Sequence, residues 1–186
     1  MLILPQKTFY TRLTPEIARN VVKSHIVDGK ILTEHTFYDS SLQKHIPSIE
    51  NIDFFREQVK IALRNCGLIP HDSIEAYISR YGYMAAQKAI REKTPREIVD
   101  EIKRSGLRGR GGAGFPTGLK LEAGLNAKEG QKYIVCNADE GDPGAFMDRS
   151  LIEGDPHSLI EGMIIGGYAI GATKGYVYVR AEYPIA

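Results

Sequence analysis

The sequence has no tryptophan, two cysteines and a formal net charge of only +1. Cys66 and Cys136 cannot by themselves build a zinc or iron–sulfur site, which needs more ligands than two. Both lie in apolar surroundings and read as reduced core residues of a cytoplasmic protein. A balanced charge gives no overall electrostatic case for a nucleic-acid or membrane partner. No basic, apolar and small-residue succession opens the chain, so no signal peptide is read. The longest apolar run lies within Leu159 to Ala172, is interrupted by Glu161 and is too short to span a bilayer. This places the protein in the cytoplasm, with room for a position on the cytoplasmic side of a membrane complex. His25, His35, His45, His71 and His157 do not share metal-ligand spacing and read mostly as surface or loop residues. No Ser/His/Asp or Cys/His arrangement stands out. At 186 residues there is enough chain for one domain plus part of another.

Glycine is abundant, and its distribution is uneven. Six of the nineteen glycines fall between Ser105 and Lys120, punctuated by Arg108, Arg110 and Lys120. Glycine lets backbone approach a ligand closely and adopt positive φ. Cations among exposed N–H groups suit an anion, above all a phosphate. Gly109-Arg-Gly-Gly-Ala-Gly114 matches the dinucleotide fingerprint letter for letter, but a helix precedes it where a strand is required. It is not a Walker A loop, because Leu119 separates Gly118 from Lys120. Phe115 and Pro116 are unlike a solvated tether. One short Arg-Gly copy without interleaved aromatics argues against an RNA-binding segment. Further on, Asn137-Ala-Asp-Glu-Gly-Asp-Pro-Gly144 is rich in acid and glycine. A calcium site is the competing reading, but the spacing does not fit an EF-hand loop. A solvated turn accounts for Asp142 and Asp148. It accounts less well for Asn137, Asp139 and Glu140, which leave a strand end. A phosphate cradle followed by acidic hydrogen-bond acceptors suggests a nucleotide or flavin site, with a non-enzymatic nucleotide- or RNA-binding fragment as the alternative.

The periodicities predict a mixed α/β chain. Residues 8–13 read as a strand, 14–27 as a helix opened by Pro15, and 30–38 as a second strand. A helical face over 53–65 ends at Gly67, and short helices follow near 73–79 and 83–92, where Tyr77, Tyr81 and Tyr83 read as packing residues. Thr94-Pro-Arg-Glu97 is a capping box that opens a helix to about Arg104. Helices are expected at 117–127 and 159–170, with Asp155-Pro-His-Ser158 leading into the second. Strands are expected at 132–136 and 175–181. Together, residues 132–181 read as a βαβ unit with parallel strands. Ligands sit at the carboxyl ends of such strands, where Asn137 to Gly144 lies. The chain stops at Tyr183-Pro-Ile-Ala186, just after a strand-like run, and reads as a fragment.

With both loops in place, the chain resembles a known family. GLRGRGGAGFPTGLK, then YIVCNADEGDPGAFMDR, then GYVYVRAEYP look like the flavin- and NADH-binding subunit of respiratory complex I. The same module occurs in NAD(P)-reducing hydrogenases and NAD-dependent formate dehydrogenases. The resemblance covers about Phe54 to Ala186, so residues 53–186 are expected to be the N-terminal part of an FMN/NADH-binding domain. Residues 1–45 resemble the tail of a thioredoxin-like ferredoxin domain, which favours the hydrogenase or formate dehydrogenase branch. The resemblance implies FMN and NAD(H) as cofactors. It implies partners in an iron–sulfur subunit of thioredoxin-like ferredoxin type and in hydrogenase, formate dehydrogenase or complex I subunits. A 4Fe-4S cluster is expected only beyond Ala186. It further implies that Gly109, Arg110, Gly111, Gly112 and Gly114 line the flavin and nucleotide cleft. Lys120 binds flavin as a cation, and Phe115 stacks on the NADH base. Asn137 and Asp139 hydrogen-bond the flavin and its ribityl chain. Glu140, the candidate catalytic residue, and Asp142 lie near the flavin and the nicotinamide end. Leu121 and Ala123 stand where the family has aromatics, and Asp142 where complex I often has Glu. These departures bear on the nucleotide grip and leave the flavin loop intact.

Overall fold

The computed structural model describes residues 1–128 and 130–186, in two units, Met1–Lys60 and Ile61–Ala186. In the first unit, β1 (Leu2–Ile3) pairs antiparallel with β2 (Thr8–Phe9). The Thr14 hydroxyl accepts from the Ile17 N–H at 3.2 Å and so caps α1 (Pro15–Val21), which continues as a π-helical turn over Val22–Val27. β3 (Phe37–Asp39) and β4 (Lys44–Ile46) form a second antiparallel hairpin. α2 (Asp53–Arg56) closes the unit. Ile3, Tyr10 and Val21 are buried together as its core.

Two sequence expectations need correction in this unit. The strand expected over 30–38 is confined to Phe37–Asp39, because residues Thr33–His35 coil into a 3-10 turn. The Thr36 hydroxyl donates back to the Thr33 carbonyl at 2.6 Å and stabilises that turn. His25, expected at the surface, is buried and pairs through Nδ1 with the Tyr10 hydroxyl at 3.0 Å.

The second unit carries the loops. Its helices are α3 (Ile74–Ser79), α4 (Met84–Glu92), α5 (Pro95–Ser105) and α6 (Thr117–Asn126). After β5 (Tyr133–Ala138) come α7 (Met147–Gly154) and α8 (Pro156–Ile170), then β6 (Lys174–Val179). The capping box at Thr94 and Glu97 forms as expected. The helical face expected over 53–65 survives only as α2. Val59 and Ile61 are 87% and 76% exposed, and a short helix without packing does not hold in water.

The core joins four helices: Ala89 of α4, Ile98 and Val99 of α5 and Ala169 of α8, with Leu121 and Leu125 of α6 packed against them. β5 and β6 pair in parallel from Tyr133↔Lys174 to Ala138↔Val179, and the connection between them carries α7 and α8. Gly166 and Gly167 bring α8 onto β5. A Cβ at either would stand 3.3 or 3.6 Å from Ile134. The other face of the sheet, with Val135, Tyr176 and Tyr178, is exposed.

α8 is also an anchor for α4. Its buried Glu161 accepts the Tyr77 hydroxyl and the N–H groups of Tyr83 (3.0 Å) and Ala86 (3.1 Å). Burial pushes the Glu161 carboxyl up, but these donors outweigh it and hold the group below its ordinary value. Asp155, nearly inaccessible, accepts from Ser158 N at 3.3 Å and from Asn65 Nδ2 at 2.9 Å, which caps α8. His157 lies beside that cap, its Nδ1 2.8 Å from the Tyr83 hydroxyl. Tyr77 is buried as a packing residue, whereas Tyr81 is 80% exposed at φ 66°. No helix is long and apolar enough to cross a membrane, among the described residues.

Candidate functional site

The glycine-rich loop is a closed arch on the end of α5. Gly106 terminates that helix at φ 69°. The base of the arch is sealed by three bonds: Thr117 N to Leu107 O (2.9 Å), Gly109 N to Phe115 O (2.9 Å) and Arg108 Nη1 to Gly114 O (3.0 Å). Arg108 is therefore spent on the loop itself. Gly112 (φ 99°) and Gly114 (φ 62°) turn the crown. A Cβ at Gly111, Gly112 or Gly114 would meet no atom within 4 Å, so the crown is open on its outer side.

The arch runs straight into α6, whose N-cap, Pro116, supplies no side-chain acceptor, and whose first turn holds no acid. The positive end of the helix is thus uncompensated. Lys120 stands exposed in that first turn, and Arg110 stands exposed on the arch. Neither side chain has a hydrogen-bond or ion-pair partner among the described residues. Phe115 is 54% exposed beside them. Free cations, an uncapped helix end and an unobstructed glycine crown fit an anionic, phosphate-bearing ligand.

The second loop leaves the carboxyl end of β5. Asn137 folds it with an Asx turn, its Oδ1 accepting from Asp139 N at 3.0 Å. Asp139 and Asp142 are exposed. Glu140 is differently placed. Its Oε1 accepts from Asp148 N (2.8 Å) and its Oε2 from Arg149 N (3.1 Å), so the carboxylate caps α7. The Tyr183 hydroxyl donates to Oε2 at 2.9 Å. Burial pushes this carboxyl up, and the three donors more than offset it, leaving it below its usual range. Asp148, half-buried beside Glu140, is raised by that partial burial and then by its negative neighbour.

Sequence spacing therefore brought together Gly109, Arg110, Gly111, Gly112, Gly114, Phe115 and Lys120 on one continuous arch and helix end. Asn137, Asp139, Glu140 and Asp142 form a second group, and no hydrogen bond joins the two among the described residues. Arg149, Arg180 and Tyr183 were missed as partners of Glu140. Arg180 and Tyr183 lie far along the chain, Arg149 beyond the loop, and nothing in their local spacing marks them. The cysteines are half-buried rather than core: Cys66 Sγ donates to Ser150 O at 3.6 Å, and burial raises the Cys136 thiol. No group of His, Cys, Asp and Glu among the described residues could hold a metal ion. Two apolar grooves flank α8, one beside Tyr77 and Leu159 and one beside Ile160 and Val177, and neither is lined by the glycine arch.

Comparison with known proteins bears on the same segment. Residues 102–186 match the Nuo51 FMN-binding domain. The chain is 62% identical over 131 residues to the NADP-reducing hydrogenase subunit HndC of Solidesulfovibrio fructosivorans, covering 70% of this chain and 26% of that protein. It is 51% identical over 126 residues to an NADH-quinone oxidoreductase subunit of Rhizobium meliloti (strain 1021), covering 68% of this chain and 30% of that one. Among solved structures, an NAD+-reducing [NiFe]-hydrogenase in the air-oxidized state superposes with TM-score 0.54 at 28% identity, over 94% of this chain and 27% of that one. The chain thus spans between a quarter and a third of the length of these relatives. The resemblance carried by the two loops holds: residues 102–186 match the Nuo51 FMN-binding domain.

Proposed function

We propose that residues 53–186 are the N-terminal part of an FMN- and NADH-binding domain, and that the protein acts as the flavoprotein subunit of an NAD(P)H:acceptor oxidoreductase. The observation that carries this is the open glycine arch with Arg110 and Lys120, which have no partner among the described residues, inside a segment matching an FMN-binding domain. The parallel β5–β6 pair supports a nucleotide-binding βαβ unit, with the acidic loop at its carboxyl edge. A bound FMN supplies hydride exchange with a nicotinamide and single-electron delivery to iron–sulfur clusters.

The residues of this chain supply position and charge. Gly109, Gly111, Gly112 and Gly114 let backbone N–H groups approach the cofactor, and Arg110 and Lys120 neutralise its phosphate. Asn137 and Asp139 hydrogen-bond the flavin edge, and Phe115 stacks on the NADH base. Glu140, the candidate catalytic residue, and Asp142 lie toward the flavin and the nicotinamide end, and Glu140 also holds the loop that carries these groups. Residues 1–45 are the tail of a thioredoxin-like ferredoxin domain. The hydrogenase likeness supports this because it extends over 94% of the chain, well upstream of the family segment. Partners are an iron–sulfur subunit and hydrogenase-, formate dehydrogenase- or complex I-type subunits, in the cytoplasm.

The test is the visible spectrum of protein purified from a flavin-replete host, with the released cofactor identified by chromatography. A yellow protein releasing FMN is expected. A colourless protein that also fails to quench added FMN fluorescence, yet binds RNA, would overturn the reading.

A further inference from the structure

The ends of the two parallel strands are fastened to each other by side chains that the glycine arch does not involve. After the last register pair, Ala138↔Val179, one chain continues into Asp139 and Glu140 and the other into Arg180. The Arg180 guanidinium donates through Nη1 to the Glu140 carbonyl at 2.8 Å. Its Nε and Nη2 fork onto the two oxygens of Glu182 at 3.2 and 3.0 Å, which fixes the plane of the group. A turn, Tyr183 N to Arg180 O at 3.2 Å, then brings the Tyr183 ring back over the acidic loop. The phenol reaches the Glu140 carboxylate, while the guanidinium carbons of Arg149 and Arg180 stand 5.3 and 5.5 Å from its ring centroid. Glu140 itself holds φ at 45°, a left-handed conformation that a non-glycine residue keeps only when its surroundings over-determine it.

We propose that Arg180 and Tyr183 are positioning residues: they clamp Glu140, by its carbonyl and by its carboxylate, and so fix the acidic loop 137–146 in the shape its ligand needs. The clamp acts on both ends of one residue. Arg180 holds the Glu140–Gly141 peptide, and Tyr183 holds the carboxylate that caps α7. The loop's exposed carboxylates, Asp139 and Asp142, flank that residue, so their direction follows from it. Without the clamp, a loop of five exposed residues between Gly141 and Ala145 has only local turns to order it.

The consequence for cofactor binding rests on the flavin reading, and the experiment separates the two. Tyr183→Phe keeps the ring and its cation contacts and removes the hydroxyl. Arg180→Lys keeps the charge and removes the fork. In the purified chain, amide hydrogen exchange of peptides covering 139–149 is expected to accelerate at least about tenfold in either variant, with the rest of the second unit and the melting temperature unchanged. FMN affinity, read by quenching of flavin fluorescence, is expected to fall roughly tenfold. Because Tyr183 acts through Glu140, the Tyr183→Phe/Glu140→Gln double variant should lose no more affinity than the worse single. Unchanged exchange, or accelerated exchange with unchanged FMN affinity, overturns the proposal, as do fully additive losses. A wild-type chain that binds no FMN overturns the flavin reading instead, and the exchange response then upholds the clamp by itself. If Tyr183→Phe unfolds, Arg180→Lys gives the same two readings.

Discussion

Gly118, in the first turn of α6, lies against the backbone of Lys103 in α5: a Cβ there would stand 2.7 Å from the Lys103 nitrogen and 2.8 Å from its Cα. Helices crossing this closely have no room for a methyl group. The same crossing sets where the glycine arch begins and ends, because the arch spans α5 to α6.

Gly118→Ala is therefore expected to destabilise the protein by about 1–3 kcal/mol through overpacking. For a chain of this size that is a fall of roughly 2–4 °C in melting temperature per kcal/mol. Calorimetry showing an unchanged midpoint would mean that the crossing relaxes freely.

Gly111→Val is expected to behave in the opposite way. Its Cβ meets open space and its φ is not in the left-handed region, so stability should change by no more than about 0.5 kcal/mol. FMN retention should be lost, because the branched side chain occupies the outer side of the crown. A stable variant with normal flavin content would reduce the arch to a connector.

Lys120→Ala is expected to weaken FMN more than riboflavin, which has no phosphate. Lys120 stands exposed, without a partner among the described residues, at an uncapped helix end, where a point charge acts on an anion. Parallel fluorescence titrations measure the two affinities. Equal losses would place Lys120 at the ring or at the nicotinamide.

Glu161 gives a pH signature that does not depend on cofactor. Its folded carboxyl is held below the ordinary value, against the upward push of burial, by Tyr77 and by N–H groups of α4. Such a group contributes stability that is fully present above its unfolded pKa, about 4.3. That contribution fades as pH falls through the lower folded value. Glu161→Gln should cost about 1.5–3 kcal/mol at neutral pH, the size of hydrogen bonds to a charged group. The gap between wild type and variant should shrink below about pH 4. Urea denaturation at a series of pH values reads it, and a gap constant down to pH 3 would contradict the assignment.

The local chemistry of the chain determined α1, α5, α8 and both strands of the parallel pair. Each has a short-range cause: Thr14 and Thr94 caps, Pro15 and Pro95 at first turns, Gly106 and Gly171 at helix ends, and β-branched runs in β5 and β6. The glycine arch was legible for the same reason, since glycines and cations crowd into one continuous stretch. α7 was not anticipated, because its cap is a side chain from outside the helix, Glu140, which precedes it by seven residues across a loop. The helical face at 53–65 was lost because its apolar residues found nothing to pack against. The fate of Glu140 was decided by tertiary structure alone. Nothing in the local sequence marks it, rather than Asp139 or Asp142, as the carboxylate that is fastened. Only the parallel pairing of β5 with β6 carries Arg180 and Tyr183 to it and turns it from an open carboxylate into the fastening of the loop.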